Sequence, residues 1–532
     1  MKMVKSLLLG SAAGLVAVAG AQAADLPVKA KPVEYVKVCS IYGAGFFYIP
    51  GTDSCIKIGG WVRAEYGFQT GNSEVPYYIG AAGRNNRIDS NEVNMRARWV
   101  TSLDVRTQTE YGTLRAYTRA GFQTTTGEST QGRIYTERAF IQFAGFTFGK
   151  SQSYFDFFGG AFSYGISYAG AASATGAAGV LLAAYTATFG NGFTATLSIE
   201  DQTSRRGAIW DASNDASNVL GIGAFPGPNS VADSYNIAVN AQFVQGLPTG
   251  DYAAQGVPDI VGSLRVDQAW GSAQIAGALH QVRAGNYGNN GTGAGATVGG
   301  VNSAFLAPND EWGWAAMAGI VINLPWAKGD KFYVEGTVSE GNSSYVGWSD
   351  SVGTTNKYAR FNGANLAAAW AFDSIFGTLA STGGATGQQL TRFWTINGAL
   401  EHYWTPALRT SVFGSYTVAD YNATATTLFC SSPQGPMRNR AAPNTPLTGA
   451  AAVPGCNPDF NVWAVGTRTI WNPAPQFDIG LEVMYTRLET NHDPNTVAFN
   501  FGGAGGRPAG IYFPSSENVW ASILRLQRNF WP

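Results

Sequence analysis

The stretch "MRARWVTSLDVRT", residues 95–107, has two unlike halves interleaved. Arg96, Arg98, Ser102, Asp104 and Arg106 take even positions, while Met95, Ala97, Trp99, Leu103 and Val105 take odd ones. Period two is the signature of a β-strand with one polar and one apolar face. The pattern recurs along most of the chain. In "CIKIGGWVRAEY", Lys57, Arg63 and Glu65 oppose Ile56, Ile58, Val62 and Ala64. In "TLRAYTRAGF", Arg115, Tyr117 and Arg119 oppose Leu114, Ala116, Ala120 and Phe122. A soluble sandwich would turn the charges outward. The reverse arrangement, charges inside and apolar groups outside, satisfies the same alternation.

The N-terminus helps to choose. Lys2 and Lys5 precede the apolar run "LLLGSAAGLVAVAG", and Ala21, Gln22 and Ala23 form a small-residue cleavage site. This reads as a signal peptide over residues 1–24, so the mature chain is expected to be exported. No later apolar run reaches the ~18 residues of a spanning helix. An exported chain of this kind is either soluble or crosses a membrane as a closed barrel, since lipid leaves no backbone group unpaired.

Sixteen segments carry the strand pattern: 55–68, 94–107, 113–122, 134–144, 146–153, 180–189, 192–201 and 258–268, then 272–283, 312–323, 331–340, 390–403, 407–420, 460–472, 476–488 and 518–530. The connections alternate in kind. "TEYGT", "AGF", "GNG" and "AWGS" are tight; 70–93, 202–256, 284–311, 341–389, 422–459 and 490–516 are long and rich in Gly, Asn and Ser. Tight turns at one rim and long loops at the other describe an up-and-down antiparallel barrel. The apolar segment 364–372 would break the even count and is placed within a long loop, as is "SYNIAVNAQF" at 234–243. Trp270, Trp326, Trp404 and Trp471 fall near strand ends, where interface girdles sit. Arg528 shares a face with Leu524 and Leu526, so it is expected at an interface, its stem snorkelling.

Composition excludes other classes. The 532 residues include 34 basic and 35 acidic side chains, a near balance that gives no footprint for nucleic acid. The three histidines are scattered and no two cysteines are close, which leaves no zinc site and no expected cofactor. Cys39, Cys55, Cys430 and Cys456 permit three pairings; the two local ones, Cys39–Cys55 and Cys430–Cys456, are the economical expectation. His402 stands beside an acid, Glu401, and neighbours on a strand point to opposite faces. An outer-membrane barrel enzyme of the lipid hydrolase type is therefore a weak alternative. An exported soluble β-sheet binding protein is another.

Several longer stretches, "ADLPVKAKPVEYVKVCSIYGAGFFYIPGTDSCIKIGGWVRAEY", "RAFIQFAGFTFGKSQSYFDFF", "VPDIVGSLRVDQAWGSAQIAGALHQV" and the terminal "LRLQRNFWP", resemble the general porin family of alphaproteobacterial outer membranes. The resemblance runs over nearly the whole chain. It implies an all-β, 16-stranded transmembrane barrel at residues 55–532, preceded by a periplasmic N-terminal extension at 25–54. It implies a homotrimer in outer-membrane lipid that passes ions and small hydrophilic solutes by diffusion, without chemistry. The terminal aromatics imply recognition by the outer-membrane assembly machinery. A third long loop folded into the lumen is implied at 154 to about 179, with Tyr154, Phe155, Asp156, Phe157 and Phe158 at its start.

The alternation itself assigns the inner face. Lys57, Arg63, Arg96, Arg98, Arg106, Arg115 and Arg119 project inward, with Glu65 and Asp104 as the acids among them. They must face water, because Arg at the lipid midplane costs ~2–4 kcal/mol. Arg63, Arg98 and Arg119 are expected as a positive stripe, with Asp156 on the opposite side of a constriction.

Overall fold

The computed structural model describes residues 38–70, 92–126, 133–157, 180–212, 252–285, 307–348, 357–379, 384–432, 437–445, 452–501 and 510–530, with short pieces at 162–164, 175, 179, 287, 297–298, 301–302 and 447. The candidate strand at 234–243, Phe158 and residues 1–37 lie outside them. No helix among the described residues is long and apolar enough to cross a membrane.

Sixteen strands close on themselves. They are β1 (Ser54–Phe68), β2 (Val93–Thr109), β3 (Gly112–Thr125), β4 (Arg133–Phe143), β5 (Phe146–Ser151), β6 (Val180–Gly190), β7 (Phe193–Glu200) and β8 (Asp259–Gln268). There follow β9 (Gly271–Val282), β10 (Glu311–Asn323), β11 (Lys331–Glu340), β12 (Arg392–Thr405), β13 (Leu408–Asp420), β14 (Phe460–Ala474), β15 (Phe477–Thr490) and β16 (Glu517–Asn529). Each pairs antiparallel with its sequence neighbour, and β16 returns to β1 through Trp61–Asn529 to Phe68–Ser522. Closure removes both sheet edges.

The register fixes which face is which. Arg63 lies opposite Arg98, Glu65 opposite Arg96, and Lys57 opposite Asp104, so all six share the inner face. The alternate residues are bare: Trp99 is 48% exposed and Leu197 63%. The barrel is thus inside out. Trp270, Trp326, Trp404 and Trp471 are exposed at the tight-turn rim, and Trp312, Trp314, Trp394 and Trp520 at the other. Arg528 is exposed at the tight-turn end and donates to the carbonyl of Pro475 in the β14–β15 turn, which suits an interfacial position.

The long connections fold together. Asn365–Trp370, from the segment 364–372, pairs with Lys357–Asn362 in a five-stranded sheet that also contains Gly510–Pro514, Val497–Phe501 and Met437–Asn439. A three-stranded sheet joins Gly384–Leu390, Phe372–Leu379 and Ala208–Asp211. Helix α1 (Ala423–Ser431) is capped by Asn422, whose side chain accepts from the Ala425 N–H at 2.8 Å. Trp210, Trp370, Phe372 and Phe429 pack at centroid distances of 5.2 to 6.5 Å in a shared core. The disulfides are Cys39–Cys55 and Cys430–Cys456, the two local pairings.

Candidate functional site

The inner face of β1–β4 and β16 is organised around three carboxylates. Glu65 is 1% exposed and holds Arg96 at 2.5 Å, Arg525 at 2.5 Å and Arg63 at 3.7 Å. Asp104 accepts from both Arg106 and Arg115 at 2.8–3.0 Å. Glu137 meets Arg119 at 2.7 Å and Arg98 at 3.4 Å. Guanidiniums outnumber these carboxylates by more than two to one. Pairing therefore orders the arginines and leaves the wall basic.

Aromatic rings brace the same groups. The Arg63 guanidinium lies 4.1 Å from the Trp61 ring, and Arg98 lies between Trp61 and Tyr135 at 5.5 and 4.9 Å. Arg115 rests over Tyr117 at 4.9 Å and Phe140 at 5.4 Å. A guanidinium held between a carboxylate and a ring is fixed in direction.

Glu137, Arg138 and Tyr135 come to this face through an irregularity. Arg119 pairs with Arg138, but Ala120 pairs with Thr136, so one residue of β4 is extra. A β-bulge breaks strict alternation, and Tyr135 and Glu137 join the inner face occupied by Arg138, Phe140 and Gln142. Period-two reading passes over them for that reason. Arg525, also missed, lies on the inner face of β16 opposite Glu65. Its signal was present: "LRLQRN" alternates as the other strands do.

The segment after β5 touches inward side chains on distant strands. Gln274 of β9 reaches the carbonyls of Tyr154, Phe155 and Asp156, each at 3.3 Å. Phe157 lies against Gly319 of β10, where any side chain would collide with the ring. Ser411 of β13 donates to the Phe162 carbonyl at 2.7 Å, and the Tyr164 N–H donates to Glu482 of β15 at 2.5 Å. Tyr164 then lies beneath Arg525, 3.6 Å from its ring centroid. Asp156 is buried; it accepts from the N–H and hydroxyl of Thr175 at 2.8 and 2.7 Å, and Arg205 lies 3.8 Å away.

Beyond this segment the long loops lock to the wall by a second buried polar cluster. Asp259 of β8 bonds His280 Nδ1 at 2.7 Å and accepts from the Tyr345 hydroxyl at 2.8 Å. The Tyr252 hydroxyl lies 3.3 Å from His280 Nε2 and donates to Asp373 at 2.7 Å. Asp373 also accepts from the N–H and hydroxyl of Ser343. Burial pushes the Asp373 carboxyl up and the Tyr252 phenol well up. Asp, His, Ser and Tyr are thus together, a grouping that scattered sequence positions hid. The Ser343 hydroxyl is committed to Asp373, and the group is sealed, so the geometry is that of a latch.

A family model described as a porin subfamily matches residues 25–506. The chain belongs to this porin subfamily. Porin Omp2b of Brucella suis is 33% identical over 286 residues, covering 52% of this chain and 65% of the relative. Porin Omp2b of Brucella abortus strain 2308 is 33% identical over 288 residues, with the same coverage. The porin therefore spans just under two thirds of the length of these curated relatives. Among solved structures, the outer membrane channel DcaP of Acinetobacter baumannii matches with TM-score 0.52 at 14% identity, covering 91% of this chain and 99% of that one. That likeness is one of fold.

The expected inner-face residues of this porin occupy one continuous wall. Arg63 and Arg98 are direct cross-strand partners. Arg119 pairs with Ser102 instead and joins Arg98 through Glu137. Lys57 and Arg106 lie toward the tight-turn end, beside the Cys39–Cys55 disulfide. Tyr154, Phe155, Asp156 and Phe157 sit together against Gln274 and Gly319.

Proposed function

We propose that the protein is an outer-membrane porin, a homotrimer through whose lumen ions and small hydrophilic solutes diffuse passively. The observation that carries this reading is the inverted barrel, with ordered guanidiniums enclosed and large apolar side chains outside. The wall formed by Lys57, Arg63, Arg96, Arg98, Arg106, Arg115 and Arg119, with Glu65 and Asp104, lines the path. Tyr154 to Phe158 begin the constriction loop. Asp156 is the acid assigned to the constriction, and its burial beside Thr175 and Arg205 tempers the transverse field it contributes. Subfamily membership supports the trimer, delivery by the assembly machinery, cleavage of residues 1–24 and the periplasmic position of the extension at 25–54. Among the described residues of the wall the side chains are committed to ion pairs and ring contacts, and selection is by size and charge.

The test is the zero-current potential across a salt gradient in planar bilayers. Replacing Arg63 and Arg98 together by serine is expected to move the preference toward cations. An unchanged potential would remove the stripe from the mechanism. A purified, folded protein that forms no conducting pathway would remove the porin reading itself.

A further inference from the structure

The chain ahead of β1 is built into the mouth at the tight-turn end. β2 pairs with β1 from Ser54 onward, whereas β16 pairs with it only from Trp61. The start of β1 would therefore be a bare edge. Phe47–Tyr48 fills it, pairing antiparallel with Cys55 and Ile56, and Val38 bridges to Phe47 in turn. The Cys39 N–H donates to the Phe46 carbonyl at 2.9 Å. The result is a short lip that prolongs the barrel wall.

The lip's facing follows from register. Cys55 lies opposite Arg106 on the inner face, so its disulfide partner Cys39 must also lie on the lumen side. Tyr48 pairs with Cys55 and shares that side. Phe46, two residues earlier, does too. The cations confirm it: Arg106 lies 4.9 Å from the Phe46 ring centroid and 5.7 Å from that of Tyr42. Lys57 lies 5.7 Å from Phe46, and its ammonium donates to the Ala44 carbonyl at 3.2 Å. Two cations of the basic wall at this end, Lys57 and Arg106, are thus faced by aromatic rings and one carbonyl, all pinned by the disulfide.

We infer that this disulfide-clasped lip is a second selectivity element, separate from the loop after β5. By partly covering Lys57 and Arg106 it narrows the mouth and mutes anion attraction there. Phe46 and Tyr42 set the specificity, and Cys39–Cys55 is a positioning element. The inference rests on the reading of the chain as a channel.

Two variants test it, each compared with the wild type by single-channel recording and zero-current potential. C39S/C55S frees the lip; Y42A/F46A keeps the clasp and removes the rings. Both are expected to raise conductance by roughly half and shift the potential in the anion-selective direction. Should the clasp variant fail to give a heat-modifiable barrel, the ring variant decides alone. Wild-type conductance and potential in the ring variant would overturn the lip while leaving the porin reading standing. A wild type that never conducts would overturn both.

Discussion

At the residue scale, the inner wall depends on a few carboxylates that each serve several guanidiniums. Glu65 is the clearest, buried with Arg96 and Arg525 at 2.5 Å. Removing one partner of a buried ion pair leaves the rest uncompensated, at a cost of about 3–5 kcal/mol. Glu65→Gln is therefore expected to lower the unfolding temperature of the detergent-solubilised barrel and to increase anion preference together. An unaltered melting transition would contradict the hub. Tight turns make a second residue-scale demand. Asn191 and Gly192 have φ values of 48° and 76°, and a side chain at Gly192 would strike the Asp267 carbonyl. Gly192→Ala is expected to cost more than about 1 kcal/mol, read in the same melting experiment. The inward assignments from Lys57 to Arg119 were legible because β1, β2 and β3 keep strict alternation. Glu137 and Arg138 were not, because the bulge in β4 puts neighbours on one face.

At the element scale, all sixteen barrel strands could be read from period two, and the tight turns from their glycines and asparagines. The organisation of the long loops could not. Their small sheets join segments far apart in sequence, such as Ala208–Asp211 with Phe372–Leu379, and no local pattern encodes such a pairing. The loop module makes its own prediction through His492. This imidazole stacks on Phe429 and accepts the Asn457 N–H at Nδ1, 3.1 Å away. Burial drives it down to about 3 from its ordinary 6.5. Between those values the unfolded module binds the proton more readily. The stabilisation is therefore complete above pH 6.5 and is lost as pH falls toward 3. Between pH 6.5 and 5 the loss is about 2 kcal/mol. Limited proteolysis of the long-loop end should accelerate over that range, and His492→Phe should flatten the dependence. Equal cleavage rates at pH 7 and pH 5 would contradict it. Cys430–Cys456 staples the same module across a separation of 26 residues. Its removal is expected to cost about 3 kcal/mol, with the module cleaved sooner and the barrel intact.

At the scale of the whole molecule, one inversion organises everything. Val62, Met95, Trp99, Leu197 and Leu264 are bare on the outside, while Glu65, Arg96 and Asp104 are enclosed. Composition alone is indifferent to that choice; export without a spanning helix and the even strand count point to it, and the closed register carries it. Nitroxide labels placed one at a time along β2, from Met95 to Arg106, test it most directly in reconstituted bilayers. Labels at 95, 99 and 103 are expected to be relaxed by oxygen dissolved in the lipid. Those at 98, 102 and 106 should be relaxed by a water-soluble nickel chelate, with a period of two. The opposite phase, odd positions wetted and even ones shielded, would contradict it.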